Sequence, residues 1–297
     1  MKLTTLIRPT LMAAMLAGMS VSANAAPVTE FFFSQSAGFL DPSDLDPGTY
    51  FDPTSGLTFN GVSMATPGAP VYPANTWSHM GWEGTGQFGT AGNESTLHIT
   101  TLDSNAGFDV SGDADASWEQ GEYWVITNLH QRNEALVRAP GAVIGSTLWV
   151  ADVVANLRIF DDAVGGNAVH SELGSTTRFS FNETFNANGN PNACTYPNPH
   201  DTACDDIYTA SLGSFAPTYF FYNFTQYELS FGLIPGAGAS VDVDGNGNVL
   251  VYTPELNPGD SDMYVVMAWR AVPEPGSLAL AGLGLAALGF GRRRKAA

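Results

Sequence analysis

In the stretch 177–185 (TRFSFNETF), Phe179, Phe181 and Phe185 fall on alternate positions, and Glu183 is in phase with them. Alternation of this kind marks a strand with one apolar face, so Glu183 is expected to turn inward. A carboxylate in that setting must be paired, hydrogen-bonded or protonated. One chemistry is general acid catalysis, as in a glycosidase, which needs a second carboxylate at a defined distance. The other is structural: Glu183 accepts backbone N–H groups, or pairs with an arginine or with His130 of the segment ITNLHQRN, which also carries Asn133. No second carboxylate declares itself by spacing. The residues therefore read as a structural polar cluster of His130, Asn133 and Glu183, with no catalytic residues.

A second candidate is DVDGNGN, residues 242–248, where Asp242, Asp244 and Asn246 match the first half of a calcium loop. Such a loop needs a bidentate Glu at its twelfth position. That position is Thr253, and Glu255 comes two residues late. With β-forming residues on either side, the segment reads first as a hairpin, compatible with weak calcium binding at its tip. No other cofactor is expected. The two cysteines, Cys194 and Cys204, lie in a Pro/Asn-rich loop. In an exported chain such a pair reads as a disulfide, and a loop this short stabilises by about 2–3 kcal/mol in the loop-entropy account. A metal site using His200 and Asp201 is the weaker reading, because the spacing of structural zinc ligands is missing. His79, His98, His170 and His200 show no ligand spacing either. The lone G-x-G-x-x-G at 84–89 has neither a preceding strand nor a following helix, so it carries no nucleotide meaning.

The elements that must hold these residues read as β throughout. Turn-forming Gly, Pro, Asn, Asp and Ser recur about every ten residues, and no long 3.6-residue period appears. In STLHITTL, Leu97, Ile99 and Thr101 share one face. In QYELSFGL, Tyr227, Leu229 and Phe231 do. In DMYVVMAWRAV, Val265, Met267 and Trp269 alternate against Tyr264, Val266 and Ala268. The region from Phe39 to Ser78 is poorly periodic and reads as long loops with an edge strand in GLTFNGVSM. The expected fold is an all-β antiparallel sandwich of jelly-roll type. Trp77 and Trp82 lie in loop-like sequence. Two exposed tryptophans beside paired acids would make a sugar platform, which is the alternative function: a carbohydrate-binding or glycosidase-like secreted protein.

Both ends of the sequence look like addresses. Lys2 and Arg8 precede an apolar run, Leu11–Val21, and the A-x-A site Ala23-Asn24-Ala25, the pattern of a signal peptide over 1–25. At the other end stand Pro273-Glu274-Pro275, then the uncharged apolar run Gly276–Phe290, then Arg292, Arg293, Arg294 and Lys295. The run is expected to form a helix short for a bilayer, started after the prolines. The basic cluster stays on the cytoplasmic side and leaves residues 26–272 outside. This tail resembles the PEP-CTERM sorting signal: Pro-Glu-Pro, apolar helix, arginine cluster. The resemblance implies an exosortase as processing partner, removal of the tail, and a final place at the cell surface or outside the cell. It also implies a setting of exopolysaccharide production. Over 122–270, His130 with Asn133, then Glu183, Thr184 and Asn186, then Cys194, Cys204, Asp205 and Asp206 follow the order of the THxN and choice-of-anchor PEP-CTERM families. The His-to-Asn spacing is one longer than the motif, and Phe185 stands where it has proline.

Charge narrows the partners further. Six of the eleven basic residues and one acid, Glu274, lie in the terminal segments. The part between them keeps five arginines against 28 acids, a formal charge of −23. Nucleic acid and anionic lipid are poor partners for such a surface. The expectation is an exported, non-enzymatic, surface or matrix protein, anchored transiently in the inner membrane by its C-terminal helix.

Overall fold

The computed structural model describes residues 28–40, 58–60, 64–65, 76–83, 94–110, 117–133, 149–182, 184, 194, 196–201, 204–254, 259–272 and 283. Both terminal addresses, apart from Leu283, lie outside this set, as does Glu183. Among the described residues no helix is long and apolar enough to cross a membrane. By their contacts the residues form two units. One is Thr29–Phe220 with Tyr227–Arg270. The other, among the described residues, includes Phe221–Gln226 and Ala271–Val272.

The protein is an all-β sandwich of two antiparallel sheets. The strands are β1 (Phe32–Leu40), β2 (Thr58–Asn60), β3 (Met64–Ala65), β4 (Thr76–Trp77), β5 (His79–Glu83), β6 (Glu94–Thr101), β7 (Trp124–Asn133) and β8 (Trp149–Phe160). After these come β9 (Ala168–Asn182), β10 (Asp206–Ser211), β11 (Thr218–Tyr222), β12 (Thr225–Pro235), β13 (Ser240–Val243), β14 (Asn248–Thr253) and β15 (Gly259–Val272). One sheet has the order β13-β14-β10-β9-β8-β1-β3, with β4 also on β1. The other runs β11-β12-β15-β7-β6-β5-β2.

The alternation seen in the sequence is what packs the two sheets. Leu97 and Ile99 from β6, Phe179 and Phe181 from β9, and Tyr227 and Leu229 from β12 are all buried. Trp149 stacks on Phe181, with ring centroids 5.2 Å apart, and Trp82 and Tyr208 close around them. A second aromatic group joins Phe31, Tyr227 and Trp269. In β15 strict alternation fails, because a bulge between Val265 and Val266 resets the phase. Beyond the bulge Val266 through Trp269 are all buried, so both faces of the strand are covered there.

Two sequence expectations change between Phe39 and Trp82. The single edge strand of GLTFNGVSM becomes two strands in different sheets: β2 pairs with β5, and β3 pairs with β1. Trp77 and Trp82 lie in strands, not loops, and Trp82 is fully buried. The loop-like reading followed from the Pro and Gly around them. The pairing of β5 with β6 supplies what local sequence did not show.

Candidate functional site

The polar residues gather where β7, β10 and the disulfide loop meet. Cys194 and Cys204 are bonded, with Cα atoms 5.4 Å apart. Directly after Cys204, two aspartates turn inward. Asp206 is fully buried at the start of β10. Its Oδ2 accepts from Asn133 Nδ2 at 2.7 Å, and its Oδ1 accepts from Thr184 N at 2.9 Å. Thr184 Oγ1 donates to the carbonyl of Cys204 at 2.9 Å, and Ser95 Oγ donates to Asn133 Oδ1 at 3.3 Å. Asn133 ends β7 in one sheet and Asp206 opens β10 in the other, so this pair ties the two sheets together beside the disulfide. A buried carboxylate is tolerable when N–H donors replace its water.

His130 and Asn133 therefore do not share a cluster. Their side chains leave opposite faces of β7. His130 is on the solvent face, where Nδ1 lies 3.0 Å from Asp262 Oδ1 and Nε2 lies 3.8 Å from Asp260 Oδ1. Asn128 Nδ2 donates to the same Asp262 oxygen. Register brings two further histidines alongside: His79 pairs with His98, and His98 pairs with His130. The rings of His79 and His98 are 5.7 Å apart. Burial pushes the His98 pKa down, and the charges of His79 and His130 push it the same way. Sequence spacing gave no sign of this row, because its residues come from three strands. Among the described residues, no three His, Cys, Asp or Glu side chains converge on a common metal position.

The second inward aspartate, Asp205, produces an arrangement the sequence reading missed. Its Oδ2 accepts from His200 Nδ1 at 2.7 Å, and His200 Nε2 lies 3.1 Å from Ser240 Oγ at the start of β13. Asp205 is fully buried, and the His200 side chain is one-fifth exposed. With the proton on Nδ1, His200 accepts from the Ser240 hydroxyl. This is the order of groups that activates serine in hydrolases. The sequence offered half of the signal, a His and an Asp flanking Cys204, but Ser240 is distant in the chain. Such a serine also needs paired N–H donors placed for an oxyanion and space for substrate. Ser240 stands in a β-ladder opposite Tyr252. A cavity of about 170 Å³ among the described residues is lined by other side chains, among them Gln35, Ala37, Leu129, Phe179 and Phe231. In it, Gln35 Nε2 donates to Thr127 Oγ1 at 2.7 Å and to the carbonyl of Ile126.

The calcium candidate forms the turn between β13 and β14. Asp244 Oδ1 accepts from the amides of Asn246 and Asn248, both at 2.8 Å, and Oδ2 accepts from Asn248 Nδ2 at 2.9 Å. These bonds, that of Asn248 first, hold the Asp244 carboxyl below its ordinary pKa. Gly247, at φ 79°, supplies the left-handed residue of a three-residue hairpin loop. Asp242 Oδ1 accepts from Val243 N at 2.8 Å.

The chain then leaves the sandwich through β15, whose last residue is Val272. A family profile described as the PEP-CTERM protein-sorting motif matches residues 271–295. The chain carries a PEP-CTERM sorting motif. No curated protein and no solved structure matches the chain. The PEP-CTERM motif implies an exported protein directed to the cell surface, with an exosortase as its processing partner. Pro273, Glu274, Pro275 and Arg292 to Arg294 fall within the match but outside the described residues, so the motif is known by its sequence.

Proposed function

We propose that this protein is a non-enzymatic component of the cell surface or extracellular matrix, held briefly in the inner membrane by Gly276–Phe290 and freed when an exosortase cuts near Pro273–Pro275. The observation that carries this reading is where the matched span begins. It starts at the last two residues of β15, an interior strand between β12 and β7. A cut after Val272 thus removes no residue of the sandwich. Association with exopolysaccharide rests on the resemblance of the tail and of residues 122–270 to surface families of polysaccharide-producing bacteria. The charge of −23 suits a hydrated, cation-rich matrix better than a nucleic acid.

The sugar-platform alternative loses its main support, because Trp82, Trp118, Trp124, Trp149 and Trp269 are all buried. Calcium at Asp242, Asp244 and Asn246 remains part of the proposal only as a weak ligand of the turn.

Mass spectrometry of the extracellular protein is the test of processing. The expected C-terminal peptide ends near Pro273–Pro275, and Pro273→Ala with Pro275→Ala leaves the chain full-length in the membrane. Recovery of an intact peptide through Ala297 from extracellular material, with exosortase active, refutes release. The non-enzymatic part is tested at Ser240 with a fluorophosphonate probe. No labelling is expected, whereas labelling that vanishes in His200→Ala would make the protein a serine hydrolase.

A further inference from the structure

β11, the edge strand of its sheet, is joined to β12 by a tight turn. Asn223 and Phe224 form it with φ of 47° and 62°. Two left-handed residues in succession make the type I′ turn that suits hairpins, for which Asn-Gly is the preferred sequence. Asn fits the first position. Phenylalanine at the second is unfavourable, since a bulky side chain with positive φ crowds its own backbone. Phe224 is nevertheless 92% exposed, and Phe221 is 66% exposed, so neither ring gains packing in return. Strain of this kind persists where the side chain serves something beyond the fold.

The surroundings indicate what that is. Residues 218–226 (TYFFYNFTQ) include no charged side chain, in a chain with 29 acids. Register then places the turn beside the exit of the chain. Gly236 N donates to Asp262 O, and eight residues along each strand Arg270 Nη2 donates to Glu228 Oε2. Counting on, Gln226 lies opposite Val272, the last residue before Pro273. The apolar run begins at Gly276, at most about 14 Å of extended chain further on. A body of charge −23 is repelled by anionic headgroups, so contact with a bilayer has to come from an uncharged part.

We infer that the β11–β12 turn dips into the membrane interface beside the tether, with Phe221 and Phe224 as its anchoring rings. This rests on the reading of Gly276–Phe290 as a membrane tether. Aromatic rings at the boundary of lipid and water are a common means of holding a peripheral element at a fixed depth. Here the contact would keep the turn at a fixed depth in the interface while the tether is in place.

The test uses the full chain in phosphatidylcholine vesicles, with a polarity-sensitive fluorophore on Phe224→Cys and, separately, on Phe221→Cys. The same label on Asn246→Cys, in the β13–β14 turn, is the control. Vesicles with brominated acyl chains report lipid contact. The expected result is a blue shift and at least twofold bromolipid quenching at 224 and 221, with neither at 246. Flotation of the vesicles in high salt separates the two readings. If the chain floats but the 224 and 221 labels are as wet as 246, the dip is wrong and the tether stands. A chain that fails to float overturns the tether and the dip with it. A blue shift without bromolipid quenching means the turn is docked on a second copy of the chain, which also overturns the inference.

Discussion

Asp206 is a fully buried carboxylate, and Asn133 Nδ2 is among the N–H groups that make this tolerable. Removing that donor leaves a charged acceptor short of a partner in the interior, which is more damaging than losing an exposed pair. Asn133→Ala is expected to lower stability by about 2–4 kcal/mol, read as a fall in the urea midpoint. His130→Ala, on the solvent face, should change it far less. Phe224 predicts the opposite sign. Phe224→Gly relieves the left-handed strain at an exposed position and should raise unfolding stability by about 0.5–1 kcal/mol; a variant less stable than the parent would show that the ring packs in the fold. At this scale the sequence was half legible. The polar character of Asn133, Cys204 and Asp206 could be seen, but which face each residue takes depends on pairings made far along the chain. His130 was grouped with Asn133 because the two are close in sequence. Three residues along a strand is an odd step, and it puts them on opposite faces.

The row of His79, His98 and His130 belongs to no single strand, and its behaviour is that of the β5–β6–β7 sheet. Burial first, and then the neighbouring imidazoles, lower the pKa of His98, and burial also lowers that of His170. A lowered pKa means that the folded state binds its proton later than the unfolded chain as pH falls. These groups therefore leave stability intact above the ordinary imidazole range near 6.5. Stability is lost as pH drops from there through the folded values. The urea midpoint should fall between pH 7.5 and 5.5, and His98→Asn should flatten that slope. An unchanged slope in the variant would assign the loss to other groups. The strands themselves were the most legible part of the chain, since period-two alternation identified the buried faces of β6 and β12 directly. What alternation could not show was the bulge at Val265/Val266 or the passage of the 58–65 segment from one sheet to the other. Both depend on partners elsewhere in the sandwich and not on local residue pattern.

For the whole molecule, the dominant electrostatic fact is a body with five arginines and 28 acids. Self-repulsion in such a compact chain is screened by salt. Raising sodium chloride from 20 to 300 mM should therefore raise the thermal midpoint, and a midpoint that falls would mean that local ion pairs such as Arg178 with Asp152 outweigh the net charge. The topology has a different consequence, one of timing. β15, the last of the described strands to be synthesised, is an interior one, flanked by β12 and β7. Until it arrives, β7 and β12 each have one unpaired edge, and the sheet cannot close. Pairings between residues so far apart in the chain are slow in any case. A nascent chain being threaded across a membrane must stay unfolded, and here one of the two sheets cannot be completed before its last strand arrives. Closure of that sheet waits until β15 has crossed. The order of strands thereby shifts completion of the fold toward the compartment where Cys194 and Cys204 can oxidise.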